Sequence, residues 1–157
     1  MKSVLISSVV AAAITFSVGA KADPTKEELK TQAAHAYAMR DFNQAGINNA
    51  LDAAKIYADL AKDESDSNAK ASLLIKQSEA LYFAGYASTN KDRKLERHLL
   101  GSEIADKGLV ILGLKDPANI DAAAVEKLKK LPQDQLEIVA EGLYFRGINL
   151  GQWGNAR

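Results

Sequence analysis

The chain has 157 residues, and its 20 basic and 20 acidic residues balance without forming a basic block, which argues against a nucleic-acid-binding protein. It contains no cysteine, so disulfides and the lipid-modified cysteine of a bacterial lipoprotein are both excluded. Only three prolines and ten glycines are present, and alternating strand patterns are missing. The composition therefore predicts an all-α fold.

The amino-terminal segment has the pattern of an export signal. Lys2 supplies a short positive region, residues 4–18 carry no charge, and small residues then precede two possible cleavage sites. Cleavage after Ala22 is favoured because Ala20 and Ala22 then fill both small-residue pockets of the peptidase. Cleavage after Ala20 is the alternative.

The apolar run of this segment is shorter than the roughly 20 residues that a membrane-spanning helix needs. A cleaved signal peptide over residues 1–22 is therefore expected, and an uncleaved anchor is the other interpretation. Residues 23–157 would then form one exported domain that is not held in the membrane. Because a small secreted domain of a eukaryote usually relies on disulfides, the lack of cysteine favours a bacterial periplasm.

Six helical segments are predicted in the exported domain, separated by polar or proline-containing breaks. In chain order they span about 24–40, 43–62, 69–87, 93–114, 120–131 and 132–154. The number of segments and the short breaks between them predict antiparallel helical hairpins, either in a simple up-and-down bundle or in a helical repeat.

Local residue types predict where some of these helices begin and end. The first is opened either by Asp23–Pro24 or by a capping box over Thr25–Glu28. Ser65 or Ser67 is the expected N-cap of the third helix. The fourth helix is expected to end at Asp116–Pro117, since proline cannot continue a helix.

The sixth segment combines a leucine repeat with several glycines. Its leucines recur every seven residues, at Leu136, Leu143 and Leu150. Glycine within a helix costs about 1 kcal/mol relative to alanine, so its presence predicts a gain elsewhere. The expected gain is close approach of a neighbouring helix at three glycines, Gly142, Gly147 and Gly151.

Two segments also resemble the first helix of a tetratricopeptide repeat, which is a helical hairpin of about 34 residues. Leu150–Gly151 precedes Trp153, and Leu81–Tyr86 has a similar order of leucine, glycine and aromatic residues. Gly85 and Gly151 are about two repeat lengths apart. A tetratricopeptide-like array of about six helices is therefore expected.

Three stretches carry a more particular family resemblance: residues 39–41 leading into 50–57, residues 80–85, and residues 142–145 with 149–153. They resemble the tetratricopeptide-type periplasmic component associated with TRAP transporters, the T-component family. The resemblance implies a helical accessory protein that associates with the substrate-binding protein of a transporter for small organic ligands. It implies no catalysis.

Aromatic residues in the predicted first helices are the candidates for binding a partner or ligand. Such helices line the concave surface of a repeat array, and aromatic groups with a polar tip suit a surface that is half exposed to water. The candidate binding residues are Tyr82, Tyr86, Tyr144, Asn149 and Trp153.

The sequence lacks the patterns of catalysis and of metal binding. It has only two histidines, His35 and His98, and no nucleotide-binding glycine loop, serine-nucleophile motif or zinc motif. We therefore predict a binding protein with no enzyme activity, no metal and no cofactor. The alternative is a small-ligand carrier bundle for an apolar molecule or for haem, the latter held by Met39 and His98.

The last predicted helix has no closing helix after it, although a repeat array needs one to cover its terminal apolar face. We expect either a shortened, carboxyl-terminally incomplete array or a partner over Leu143, Leu150 and Trp153. A second copy of the chain is the simplest such partner.

Overall fold

The computed structural model describes residues 23–157, and the predicted signal peptide lies outside the described residues. Every regular element in the described range is an α-helix, which confirms the all-α prediction. The helices are α1 (Lys26–Ala38), α2 (Gln44–Lys62), α3 (Ser67–Tyr86), α4 (Lys91–Ile111), α5 (Ala122–Leu128) and α6 (Gln133–Ala156). None of these helices is both long and apolar enough to cross a bilayer.

The helices form antiparallel hairpins that stack in chain order, as predicted. α1 pairs with α2 and α3 pairs with α4, while contacts between α2 and α3 join the two hairpins. The first hairpin is held at both ends: Lys26 Nζ donates to the Asp63 carbonyl at 3.1 Å, and Asn49 Nδ2 donates to the Met39 carbonyl at 2.9 Å. α6 lies against both α3 and α4, so three helices meet in the carboxyl-terminal half.

The predicted N-cap is confirmed for α1 and wrong for α3. The capping box is present, with Thr25 and Glu28 each accepting a hydrogen bond from the other's backbone N–H. The expected serine cap of α3 is wrong, because Asp66 accepts from the Ala69 N–H at 2.8 Å. A carboxylate offers a full negative charge to the positive end of the helix dipole, which a hydroxyl does not.

α4 ends earlier than Asp116–Pro117, so that prediction is wrong. Gly113 follows the helix with φ of 94°, a left-handed conformation that glycine adopts without steric cost. The Gly113 N–H donates to the Val110 carbonyl at 3.0 Å, and the Leu114 N–H donates to the Leu109 carbonyl at 3.1 Å. This pair of bonds is a Schellman motif, and it satisfies carbonyls that the helix end would leave free.

The apolar core is divided between the two halves of the molecule. The largest cluster joins α1, α2 and α3 and includes Ile104 from α4. A second cluster packs Leu109 and Leu114 against Val139 of α6. The core thus fixes α3 and α4 between the first hairpin and α6.

The face that α6 buries differs from the face that carries its leucine repeat. Val139, Gly142 and Asn149 are its buried residues, whereas Leu136, Leu143 and Leu150 are half-buried. Successive residues of a helix are about 100° apart around its axis. The side of α6 that carries Gly142 is therefore rotated by about 100° from the side that carries Leu143.

Only one of the three glycines predicted to admit a neighbouring helix does so. A Cβ on Gly142 would lie 2.8 Å from Leu109 Cδ2, so the close approach predicted there is confirmed. A Cβ on Gly147 or Gly151 would meet nothing within 4 Å, so the prediction is wrong for both.

Candidate functional site

Aromatic side chains of the loop before α2 and of α3 pack together on the surface, and with the exposed Tyr144 of α6 they form what we call the aromatic patch: Phe42, Tyr82, Phe83, Tyr86 and Tyr144. Phe42, in the loop between α1 and α2, is 67% exposed. Its ring centroid lies 5.3 Å from that of Phe83 and 6.0 Å from that of Tyr86. Tyr86 stacks on Tyr82 one turn earlier in α3, with centroids 5.9 Å apart. The distances are those of favourable aromatic pairs.

Tyr144 extends the aromatic patch from α3 to α6. It is 61% exposed, and its ring packs edge-on against Phe145 with 5.1 Å between centroids. Burial raises the pKa of Tyr82, and the nearby Tyr144 and Tyr86 raise it further. Tyr82 therefore stays protonated at neutral pH.

A cation borders the aromatic patch at its Phe42 end. The Arg40 guanidinium lies 4.0 Å from the ring centroid of Tyr37 and 5.6 Å from that of Phe83. Met39 beside it is 58% exposed. This edge of the patch therefore offers hydrogen-bond donors and an adaptable apolar side chain together.

A buried polar cluster lies beneath Tyr82 and joins α3, α4 and α6. His98, Ser78 and Asn149 are all fully buried. Asn149 Nδ2 donates to the Phe145 carbonyl at 2.9 Å and to Ser78 Oγ at 3.2 Å, and Ser78 Oγ donates to the Gly101 carbonyl at 2.7 Å. These bonds connect the three helices through side chains.

His98 is the titratable member of this cluster. Its Nδ1 lies 3.1 Å from Asn149 Oδ1, which can only accept, so Nδ1 carries the proton. Nε2 is buried and has no hydrogen-bond partner in the described part of the chain. Burial lowers the pKa of His98, and the positive charge of Lys94 lowers it further, while the bond to Asn149 opposes the shift. The ring is neutral at pH 7.

Glycines make room for this cluster. A Cβ on Gly85 would lie 2.8 Å from His98 Cε1, and a Cβ on Gly101 would lie 2.7 Å from Asn149 Nδ2. Both distances are too short for non-bonded carbon contacts. Tyr82 also packs against His98, with its ring centroid 5.7 Å from that of His98.

The structure brings two of the five candidate binding residues, Tyr82 and Tyr86, into ring contact. Tyr82, Tyr86 and Tyr144 belong to the aromatic patch. Asn149 is buried within the polar cluster. Trp153 lies nine residues beyond Tyr144, which is half a turn around the helix axis, and it stacks with the Arg157 guanidinium at 4.3 Å.

The pairing of Met39 with His98 that a haem carrier would need is not formed. Met39 is exposed at the carboxyl end of α1, whereas His98 is buried and bonded to Asn149. Phe42 was missed as a candidate, because it lies in a loop outside every helical pattern. Its position next to Arg40 and Asp41, in a polar break, was the only signal for an exposed aromatic residue.

No protein-family model matches the chain, and no curated protein or solved structure is significantly similar to it.

Proposed function

We propose that this chain is a periplasmic helical scaffold that binds a partner protein through the aromatic patch. The observation that carries the proposal is the exposure of Phe42, Tyr86 and Tyr144, at 67%, 47% and 61%, beside a set of aromatic rings in contact. Contiguous exposed apolar surface on a soluble protein commonly marks an interaction site. Tyrosine and phenylalanine are also enriched in protein–protein interfaces.

The shape of the patch favours a protein over a small molecule as its occupant. Its residues come from the loop before α2, from α3 and from α6, and its most exposed rings lie on the open surface and not inside a cavity. Tyrosine hydroxyls and the Arg40 guanidinium supply polar groups at its edges, as in the polar rim of an interface.

The resemblance to the T-component family suggests which partner to test. The candidate is the substrate-binding protein of a TRAP-type transporter, and this chain would then be an accessory in ligand handling. The mechanism is burial of aromatic groups at an interface, without bond chemistry.

Site-specific photo-crosslinking tests this proposal. A photoreactive phenylalanine analogue in place of Tyr86 should crosslink in the periplasm to one protein of defined mass, which mass spectrometry identifies. The control carries the same analogue at Val110 of α4, which is 50% exposed but outside the patch. The same product from both positions, or none from Tyr86, would contradict the proposal.

Affinity measurements with the identified partner complete the test. Tyr86→Ala combined with Tyr144→Ala should weaken binding at least about thirtyfold, since interface hot spots contribute about 2 kcal/mol or more. Val110→Ala should change the affinity by less than about twofold. Binding should also be only weakly sensitive to salt, because apolar burial and not charge is expected to drive it.

A further inference from the structure

A groove separate from the aromatic patch lies between α1 and α3, with α2 beneath it. Its volume is about 400 Å³, within the range of small-molecule sites. Ala34 of α1, Leu73 of α3 and the ring of Tyr57 from α2 give it an apolar lining. We call it the α1–α3 groove.

The charged residues that line this groove have one sign. Lys30 and Lys76 lie on opposite helices, and no aspartate or glutamate is among the lining residues. Lys30 is already paired with Glu27 at 2.7 Å. Lys76 is exposed and makes no ion pair within residues 23–157, so its ammonium is available to an anion.

Two residues that carry hydroxyl groups also line the groove. Ser72 lines the groove one turn before Lys76, and Tyr57 is only 7% exposed while still lining it. Burial, and secondarily the charge of Glu79, raises the pKa of Tyr57. The phenol is therefore protonated at neutral pH and adds no negative charge to the groove.

We propose that the α1–α3 groove binds a small organic monocarboxylate with an apolar body. The carboxylate pairs with Lys76, and the apolar body covers Ala34, Leu73 and the Tyr57 ring. A fully polar anion lacks this apolar contact, and a neutral hydrocarbon leaves the ammonium group unmatched. This site is independent of the aromatic patch, so either proposal can fail while the other stands.

Isothermal titration calorimetry with three probes tests the site on the protein comprising residues 23–157. Decanoate carries both features, decanol keeps only the chain, and inorganic phosphate keeps only the charge. We expect saturable binding of decanoate at one site, at least tenfold weaker binding of decanol and no measurable binding of phosphate. Equal binding of decanol and decanoate would overturn the charge assignment, and no saturable binding of decanoate would overturn the site.

Variants locate the binding. Lys76→Gln should weaken decanoate binding about tenfold, whereas Lys107→Gln, at an exposed position of α4, should leave it unchanged. Ala34→Leu, at an exposed position of α1, should block the groove without disturbing the core. Circular dichroism of each variant confirms folding. If Lys76→Gln and Ala34→Leu both bind like the unaltered protein, decanoate binds elsewhere and the proposal is wrong.

Discussion

His98 is a base kept neutral inside the junction of three helices. Its Nδ1–H donates a hydrogen bond to Asn149 Oδ1, and its Nε2 has no hydrogen-bond partner within residues 23–157. A second proton would therefore place a charge and an unsatisfied donor where water is excluded. The folded structure therefore favours the neutral form of His98.

The stability of the protein should consequently fall in mild acid. The unfolded chain takes up a proton at the ordinary histidine pKa of 6.5, whereas the folded chain resists it because the pKa of His98 is lowered. The free energy of unfolding should thus decrease as pH falls below 6.5, until the folded protein also binds the proton. Urea unfolding between pH 7.5 and 5 measures this. His98→Gln should lose most of the slope over that range, and an unchanged slope would contradict the prediction.

Two glycines in neighbouring helices should respond oppositely to alanine. In Gly101→Ala the new Cβ would lie 2.7 Å from an Asn149 amide that is held by hydrogen bonds. We expect a loss of about 1–3 kcal/mol of stability, as for other overpacked sites. Gly147→Ala meets nothing within 4 Å, so it should gain about 0.5–1 kcal/mol through helix propensity. Thermal unfolding of the two variants measures both; equal effects would refute the packing difference.

At the scale of helices, the caps are local enough to be tested one residue at a time. Asp66→Ala should cost about 1 kcal/mol of stability, since the Ala69 N–H loses its acceptor. Ser65→Ala and Ser67→Ala are the matched controls and should change stability by less than about 0.5 kcal/mol. Denaturant midpoints of the three variants decide it. A larger loss from either serine would mean that Asp66 is not the cap.

The helices themselves were predictable, because periodicity and breaks depend on neighbouring residues. Two of the predicted helix ends are wrong because neighbouring residues give signals of similar strength. Asp66 lies between the two predicted serine caps, and Gly113 ends α4 before the predicted proline stop. The residue that ends a helix is decided by backbone geometry, which the sequence alone does not show. Glycine is favoured only at the one position after the helix that adopts the left-handed conformation.

The face that a helix buries was harder to predict than the helix itself. Gly142 and Leu143 are adjacent in sequence. Asn149 follows Gly142 by seven residues, and Leu150 follows Leu143 by seven residues, so both pairs fit the same helical repeat. Hydrophobicity favours the leucines, yet Gly142 and Asn149 are buried because Leu109 and the polar cluster occupy the space beside them. This choice depends on residues distant in sequence.

At the scale of the whole molecule, the packing predicts an uneven resistance to local opening. α3 packs against α2, α4 and α6, whereas α5 has no buried residue. Backbone amides of α5 should therefore exchange with deuterium fastest among the helices, and those of α3 slowest. Hydrogen–deuterium exchange with mass spectrometry measures this order. Equal protection of α5 and α3 would contradict it.

The candidate site could be predicted only in part for a related reason. The tyrosines of α3 and α6 are predictable from their positions in predicted helices, and these two helices pack against each other. Phe42 joins them only because the loop between α1 and α2 lies beside α3, as its contact with Phe83 shows. Neither composition nor periodicity describes the course of a loop.

The buried polar cluster also restricts how α6 can be positioned along its neighbours. If α6 slid by one turn, Asn149 would leave Ser78 and His98, and several buried polar groups would lose their partners at once. Each such loss costs about 1–3 kcal/mol, whereas a slid leucine would still find apolar contacts. The asparagine therefore gives the helix a single register, which the leucines alone could not enforce.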